Sequence, residues 1–186
     1  MNTIQADMRR QCRNARASLT EEDRDLKSQL ICEKVTSAAW FRRAAYIGCY
    51  LPLTDEVDTW AIIARAWTMK KRIFAPVIEK NRQMQFQEIG AETELRRNRL
   101  GLLEPQSGDI VSARTLDIVL TPVVAFDPQN NRVGMGGGYF DRTFSFLRHR
   151  NRWLHPKIVG LAFACQKVEK IPPNPWDIRL FCAITE

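Results

Sequence analysis

Four of the chain's nine glycines fall within five residues, inside the stretch Arg132-Val133-Gly134-Met135-Gly136-Gly137-Gly138-Tyr139-Phe140-Asp141-Arg142. A cluster this dense ends any strand that reaches it, because glycine opens φ values that other residues avoid and lets backbone approach a ligand closely. An apolar run from Leu116 to Phe126 precedes it, and Tyr139, Phe140, Thr143, Phe144 and Leu147 follow as the apolar stripe of a helix from about Gly138 to Arg148. Strand, glycine loop and helix start, in that order, form a recurrent phosphate cradle built on free N–H groups and the helix dipole. A tight turn that needs glycine only for its geometry is the competing reading. Arg132, Asp141 and Arg142 on the flanks favour phosphate, with Asp141 read either as a first-turn acid or as a ligand for Mg²⁺.

The rest of the chain supplies a frame for that loop. Residues 3–17 have helical spacing, with Ile4, Met8, Cys12 and Ala15 near one face and Arg9, Arg13 and Arg16 along another. Thr20 caps a second helix that runs to about Trp40, with Leu26, Leu30, Val35 and Ala38 as its buried face. Ala45 to Leu51 reads as a buried strand, Pro52 to Glu56 as the loop after it, and Trp60, Ile63, Ala64 and Trp67 as the face of a third helix. With a strand from Arg72 to Val77 these make a parallel βαβ unit. Met84 to Glu88 alternates like an edge strand, residues 90–115 read as irregular, and Ile158 to Phe163 and Phe181 to Thr185 are further strands. The pattern is α/β, in one domain covering residues 1–186. Ligands of open α/β sheets sit outside the strand carboxyl ends, where Glu56, the glycine loop and Asp177 have the chance to converge.

Composition narrows the chemistry. A net charge of +7 suits anionic partners, from nucleotides and polycarboxylates to nucleic acid. No apolar stretch is long enough for a bilayer, and residues 1–18 have no apolar core of a secretory signal. Five scattered cysteines without CxxC spacing read as reduced thiols of a cytoplasmic protein, with Cys12 the candidate for exposure. The two histidines, His149 and His155, lie in a polar connector and read as surface residues, which disfavours a Ser-His-Asp or Cys-His engine. Neither an early GxGxxG nor GxxxxGK[ST] is present. Trp40, Trp60 and Trp67 are expected in the core, while Trp176 beside Asp177 reads either as shaping the site or as packing, with packing favoured. Enzymes acting on nucleotides, sugar phosphates or acyl-CoA thus stay open, as does a basic nucleic-acid-binding protein.

The run Val119-Leu120-Thr121-Pro122-Val123-Val124-Ala125-Phe126-Asp127, taken with the glycine stretch, resembles the 5-formyltetrahydrofolate cyclo-ligase family. The resemblance extends to Tyr50 through Thr59, to Leu103-Glu104-Pro105 and to Trp176-Asp177. It implies a three-layer α/β/α sandwich with a mostly parallel central sheet, related to the sugar-phosphate isomerase and CoA-transferase group. It implies ATP-dependent ring closure of 5-formyltetrahydrofolate to 5,10-methenyltetrahydrofolate, with release of ADP and phosphate. Its implied partners are ATP and the folate, with no nucleic acid and no membrane, in a cytoplasmic monomer. By the same resemblance Arg9 and the residues Arg132, Val133, Gly134, Met135, Gly136, Gly137, Gly138, Tyr139 and Phe140 bind ATP. Leu51 and Glu56 bind the folate, together with Met135 to Tyr139, and Asp141 with Asp177 holds Mg²⁺. Arg132, Tyr139 and Asp141 are the candidate catalytic residues. The chain departs from many members at Gln5, where they carry lysine, and from some at Gly137, where they carry a basic residue; Arg13, Arg16, Arg132 and Arg142 are the candidates to compensate.

Overall fold

In the computed structural model, which describes residues 3–80, 83–149 and 155–186, the apolar runs become strands of one sheet. The elements in chain order are α1 (Thr3–Ala17), α2 (Glu21–Ser37), α3 (Ala39–Arg43), β1 (Tyr46–Cys49), α4 (Trp60–Thr68), β2 (Arg72–Ile78) and β3 (Met84–Ile89). After them come β4 (Leu95–Arg97), β5 (Leu103–Pro105), β6 (Ile110–Val111), β7 (Ile118–Pro122), β8 (Ala125–Phe126), β9 (Arg132–Val133), α5 (Tyr139–Thr143), β10 (Lys157–Leu161) and β11 (Cys182–Ile184). The main sheet has the order β11-β10-β7-β1-β2-β3-β6. From β11 to β2 every pairing is parallel, and β3 and β6 extend the sheet antiparallel.

Period-two geometry divides each central strand between two cores. Ile73, Ala75, Ile118, Leu120, Val159 and Leu161 face Ile31 and Val35 of α2, Phe41 of α3, and Ile62, Ile63 and Ala66 of α4. Phe74, Val119 and Ile158 face the other way, onto Phe144, Leu147, Ala113 and Leu116. Two buried faces explain why these strands are apolar throughout. The result is the expected α/β/α sandwich. No helix among the described residues is long and apolar enough to cross a membrane.

Several local expectations need correction. Leu26, Leu30 and Trp60 are exposed, as is Ala64. Full burial of Ile31 and Val35 sets the phase of α2, which turns Leu30 about 100° away from the sheet. The second helix also ends at Ser37 and restarts as α3. β3 is not an edge, because β6 pairs beyond it. Residues 90–115 hold the β4–β5 hairpin and β6, strands too short to show a period. Cys12 is buried on the inner face of α1, and the exposed thiol is Cys165. His155 is exposed, while the side chain of His149 and residues 150–154 lie outside the described residues.

Thr20 caps α2 as expected: its hydroxyl accepts from the Asp23 N–H at 3.1 Å, ahead of an acidic first turn. Thr20→Ala should cost about 1 kcal/mol of unfolding free energy, read from urea denaturation, since alanine leaves that N–H uncapped.

Candidate active site

The sheet order reverses between β1 and β7, with β2 on one side and β10 and β11 on the other. In open α/β sheets the ligand crevice lies outside the carboxyl ends at such a point. Two loops leave there. One runs from Tyr50 to Asp58; the other is the glycine stretch, which follows β7 by way of the β8–β9 hairpin. Helix α1 is fastened to both. Its Cys12 packs with Val124, Ala125, Val133 and Ile171, which seats the helix on the hairpin. Arg9 Nε donates to the Gly134 carbonyl at 2.7 Å. Arg16 Nη2 lies 2.6 Å from Asp55 Oδ2, and its Nη1 lies 4.0 Å from Glu56 Oε1. Gln5 Nε2 donates to the Pro172 carbonyl at 3.0 Å, and its Oε1 accepts from Asn174 Nδ2 at 3.4 Å. The helical rise places Arg9 and Arg16 about 10 Å apart along the axis, and Gln5 and Arg16 about 16 Å.

Arg16 is therefore not on a solvated side. It is 2% exposed, held between two carboxylates. Glu56 is 7% exposed, with Oε2 accepting from the Leu53 N–H at 3.1 Å. Burial pushes its carboxyl above the ordinary value, opposed by the Leu53 hydrogen bond and by Arg16. Leu51 is buried beside it at the end of β1. The pair gives this loop an apolar wall and one acceptor that holds its proton more tightly than a solvated glutamate.

The glycine stretch is organised by arginines. Arg132 is buried: Nη2 lies 2.8 Å from Asp141 Oδ1 and Nη1 donates to the Ile178 carbonyl. The Ile178 N–H donates to the same Asp141 oxygen at 3.1 Å. Arg132 thus points inward and fixes Asp141, rather than facing the crevice. Arg142 takes the outward place, donating to the Gly137 carbonyl with its guanidinium over the Tyr139 ring. That ring occupies the space where a side chain at 137 would start, since a Cβ there would fall 2.7 Å from it. Gly138 has φ +67°, a backbone conformation strained for any other residue, and Arg142 Nη1 lies 2.9 Å from the position of a Cβ. The helix expected over 138–148 is only the five residues of α5, followed by a 3₁₀ segment Ser145–His149. Phe144 leaves the helix to pack on Phe86 and Phe140 in the core. A dipole from so short a helix is small, which leaves the arginines as the main source of positive potential.

These residues border a cleft of about 560 Å³, walled by Gly136 to Gly138, Asp141 and Arg142 on one side. Gln83, Ser145, Arg148 and Trp176 complete it. Arg148 was not legible as a site residue, and packing was the favoured reading of Trp176 over a part in shaping the site. Arg148 carries no motif, whereas Trp176, flanked by Pro175 and Asp177 in a stretch without periodicity, had no helix or strand face to pack from. Met135 is exposed, Tyr139 and Phe140 are half-buried, and Val133 is buried under α1.

Asp177 Oδ2 accepts from the backbone and side-chain nitrogens of Asn174 at 2.8 and 3.2 Å. Asp141 is tied to the next residue, Ile178, so the two carboxylates belong to neighbouring chain segments. Among the described residues, their hydrogen bonds occupy one oxygen each. Two carboxylates fit a hard cation that completes its shell from phosphate and water. No group of three or more potential protein ligands occurs among the described residues. Burial also raises all five thiols, Cys49 to about 12 and Cys182 to about 11, so no thiolate nucleophile is on offer at neutral pH.

The Glu56 shift has a sign. Its folded pKa lies above 4.5, so the folded state binds the proton more tightly and ionisation is a cost to folding. That contribution is absent below 4.5, grows from there up to the raised value, and is constant above it. Glu56→Gln should therefore gain unfolding free energy relative to the parent between pH 4.5 and 7, in paired denaturation series. A difference that is flat with pH would contradict the raised value.

A model of the 5-formyltetrahydrofolate cyclo-ligase family matches residues 2–186. The chain is 33% identical over 186 residues to the 5-formyltetrahydrofolate cyclo-ligase of Haemophilus influenzae, covering 97% of each. It is 34% identical over 179 residues to that of Escherichia coli, covering 93% of this chain and 95% of the relative. The solved 5,10-methenyltetrahydrofolate synthetase of Aquifex aeolicus superposes with a TM-score of 0.83 at 25% identity, over 97% of this chain and 89% of that one. The synthetase of Mycoplasma pneumoniae superposes with a TM-score of 0.77 at 23% identity, over 100% and 99%, and speaks to the fold alone. With a full-length family match joined to one sheet, one crevice and relatives of equal length, the chain belongs to the 5-formyltetrahydrofolate cyclo-ligase family.

Proposed function

We propose that this chain closes 5-formyltetrahydrofolate to 5,10-methenyltetrahydrofolate at the expense of ATP, releasing ADP and phosphate. The observation that carries the reading is α1: one rigid helix holds a buried-carboxylate loop at Arg16 and a glycine loop at Arg9, about 10 Å apart. Two loops of different chemistry at that spacing suit a reaction that must join two substrates.

The folate head group takes the Glu56 end. Its ring N–H groups donate to that carboxylate, and Leu51 supplies apolar contact. The triphosphate takes the glycine loop, whose backbone approaches it closely, with Arg9, Arg142 and Arg148 facing its charge. Met135 and Tyr139 lie between the two. The formyl oxygen attacks the γ-phosphorus, the bond to the β-bridging oxygen breaks, and ADP leaves. The formyl carbon is now activated by its phosphate. N10 attacks that carbon, gives up its proton, and phosphate departs with the former formyl oxygen. No protein nucleophile is needed, so the protein's work is alignment and charge stabilisation.

Asp141 and Asp177 are the residues that would hold Mg²⁺, which when bound neutralises charge on the phosphates. Arg132 then acts as a positioning residue, because it orients Asp141 from behind. Alanine at 141 is a poor probe, since it would leave the buried Arg132 unpaired at a cost of about 3–5 kcal/mol. Asp141→Asn keeps an acceptor for Arg132 and for the Ile178 N–H but loses the charge. It should fold, though less stably than the parent because Arg132 loses its counter-charge, and lower Mg·ATP-dependent growth of the methenyl absorbance by at least about a hundredfold, in line with losing one transition-state electrostatic contact. Parent-like turnover in Asp141→Asn would remove the metal role from this residue.

A further inference from the structure

Trp176 has no part in the reaction just described, yet it is 58% exposed in the wall of the cleft that Gly136 to Gly138 and Asp141 also line. An indole left this open gives up much of the stabilisation that a buried one contributes. Its backbone, by contrast, is tightly held. Pro172, Pro173 and Pro175 restrict the chain before it. Asp177 closes the turn around it, with Oδ2 accepting from Asn174 N at 2.8 Å and Asp177 N donating to the Asn174 carbonyl at 3.1 Å. The Ile178 N–H anchors the far side to Asp141, and Gln5 of α1 grips Pro172 and Asn174. An exposed aromatic face on a rigid mount is what a planar ligand needs, because little ordering is left to do on binding.

The order of contacts along α1 says which planar group it meets. Gln5 holds the Trp176 loop, Arg9 the glycine loop and Arg16 the Glu56 loop. With the folate at the Glu56 end and the phosphates at the glycine loop, as proposed above, the group beyond the phosphates on the Trp176 side is the nucleoside. We infer that Trp176 is the stacking platform for the adenine of ATP, an assignment that rests on that functional reading. Gln5 acquires a purpose in the same step. It fixes the loop that carries the platform, and the phosphate charge falls to Arg9, Arg142 and Arg148.

Steady-state kinetics of the parent, Trp176→Leu and Trp176→Phe test this. Trp176→Leu should raise KM for ATP about tenfold, equivalent to about 1.4 kcal/mol and inside the range for a base on an aromatic ring. KM for 5-formyltetrahydrofolate and competitive inhibition by inorganic tripolyphosphate should stay at parent values, and Trp176→Phe should recover most of the ATP affinity. An unchanged KM for ATP in Trp176→Leu overturns the assignment. So does a rise confined to the folate, which would give the indole to its aminobenzoyl ring, or an equal loss for tripolyphosphate, which would make it part of the phosphate cradle. A parent enzyme that forms no methenyl product refutes the ligase reading and not the platform. Calorimetric binding of ATP against tripolyphosphate to the same three proteins then decides the platform by the same criteria.

Discussion

The buried guanidinium of Arg132 is the joint on which the crevice depends. It ties β9 to Asp141 in α5 and to the backbone of Ile178, three segments that share no regular secondary structure with one another. A charge removed from water needs a partner and several hydrogen bonds, and here a carboxylate and a carbonyl supply them. The carboxylate is fixed in turn by a second donor, the Ile178 N–H. A buried pair of this kind adds little net stability over an apolar core, but it admits one arrangement of the three segments. The position of Asp141, and through Ile178 that of Asp177, follows from it.

That commitment redistributes the positive charge of the site. The resemblance assigns Arg132 to the phosphates, yet both of its terminal nitrogens already hold protein partners. Arg142 folds back over the Tyr139 ring onto the Gly137 carbonyl, and Arg148 lines the same cleft. A lysine in the glycine run would compete for the volume that Tyr139 fills. Substitution within the loop and recruitment of arginines from the segment after it are therefore parts of one packing solution. Guanidinium suits the proposed task, since its planar fork matches phosphate oxygens and lies flat on an aromatic face.

What could be read from the residues alone follows physical lines. The parallel strands were legible because burial on two faces demands unbroken apolar runs, as in Ile118 to Leu120 and Ile158 to Leu161. The Thr20 cap was legible because its signature is local. Burial on α2 was not: Leu26 and Leu30 are as apolar as Ile31, and only the sheet decides the phase. Arg16 looked like its neighbours Arg9 and Arg13, and its burial depends on Asp55 and Glu56, some forty residues on. β4, β5 and β6 are too short for periodicity to register, and Arg148 belongs to no motif. Helix position, loop position and sheet order are long-range quantities, and a residue's neighbours in sequence carry little of them.

Helix α1 is the first element of the chain and grips residues near its middle and its end: Asp55, Gly134, Pro172 and Asn174. It has little of its own to bury, with Cys12 and Arg16 its only buried residues among those described. A helix of this length without a docking surface is marginal in water. During synthesis the segment is made before every residue that seats it, and its set of partners is complete only once the loop at 172–177 has left the ribosome. Until then both halves of the crevice lack the bar that spaces them, so a nascent or truncated chain lacks the assembled site even where its sheet has formed.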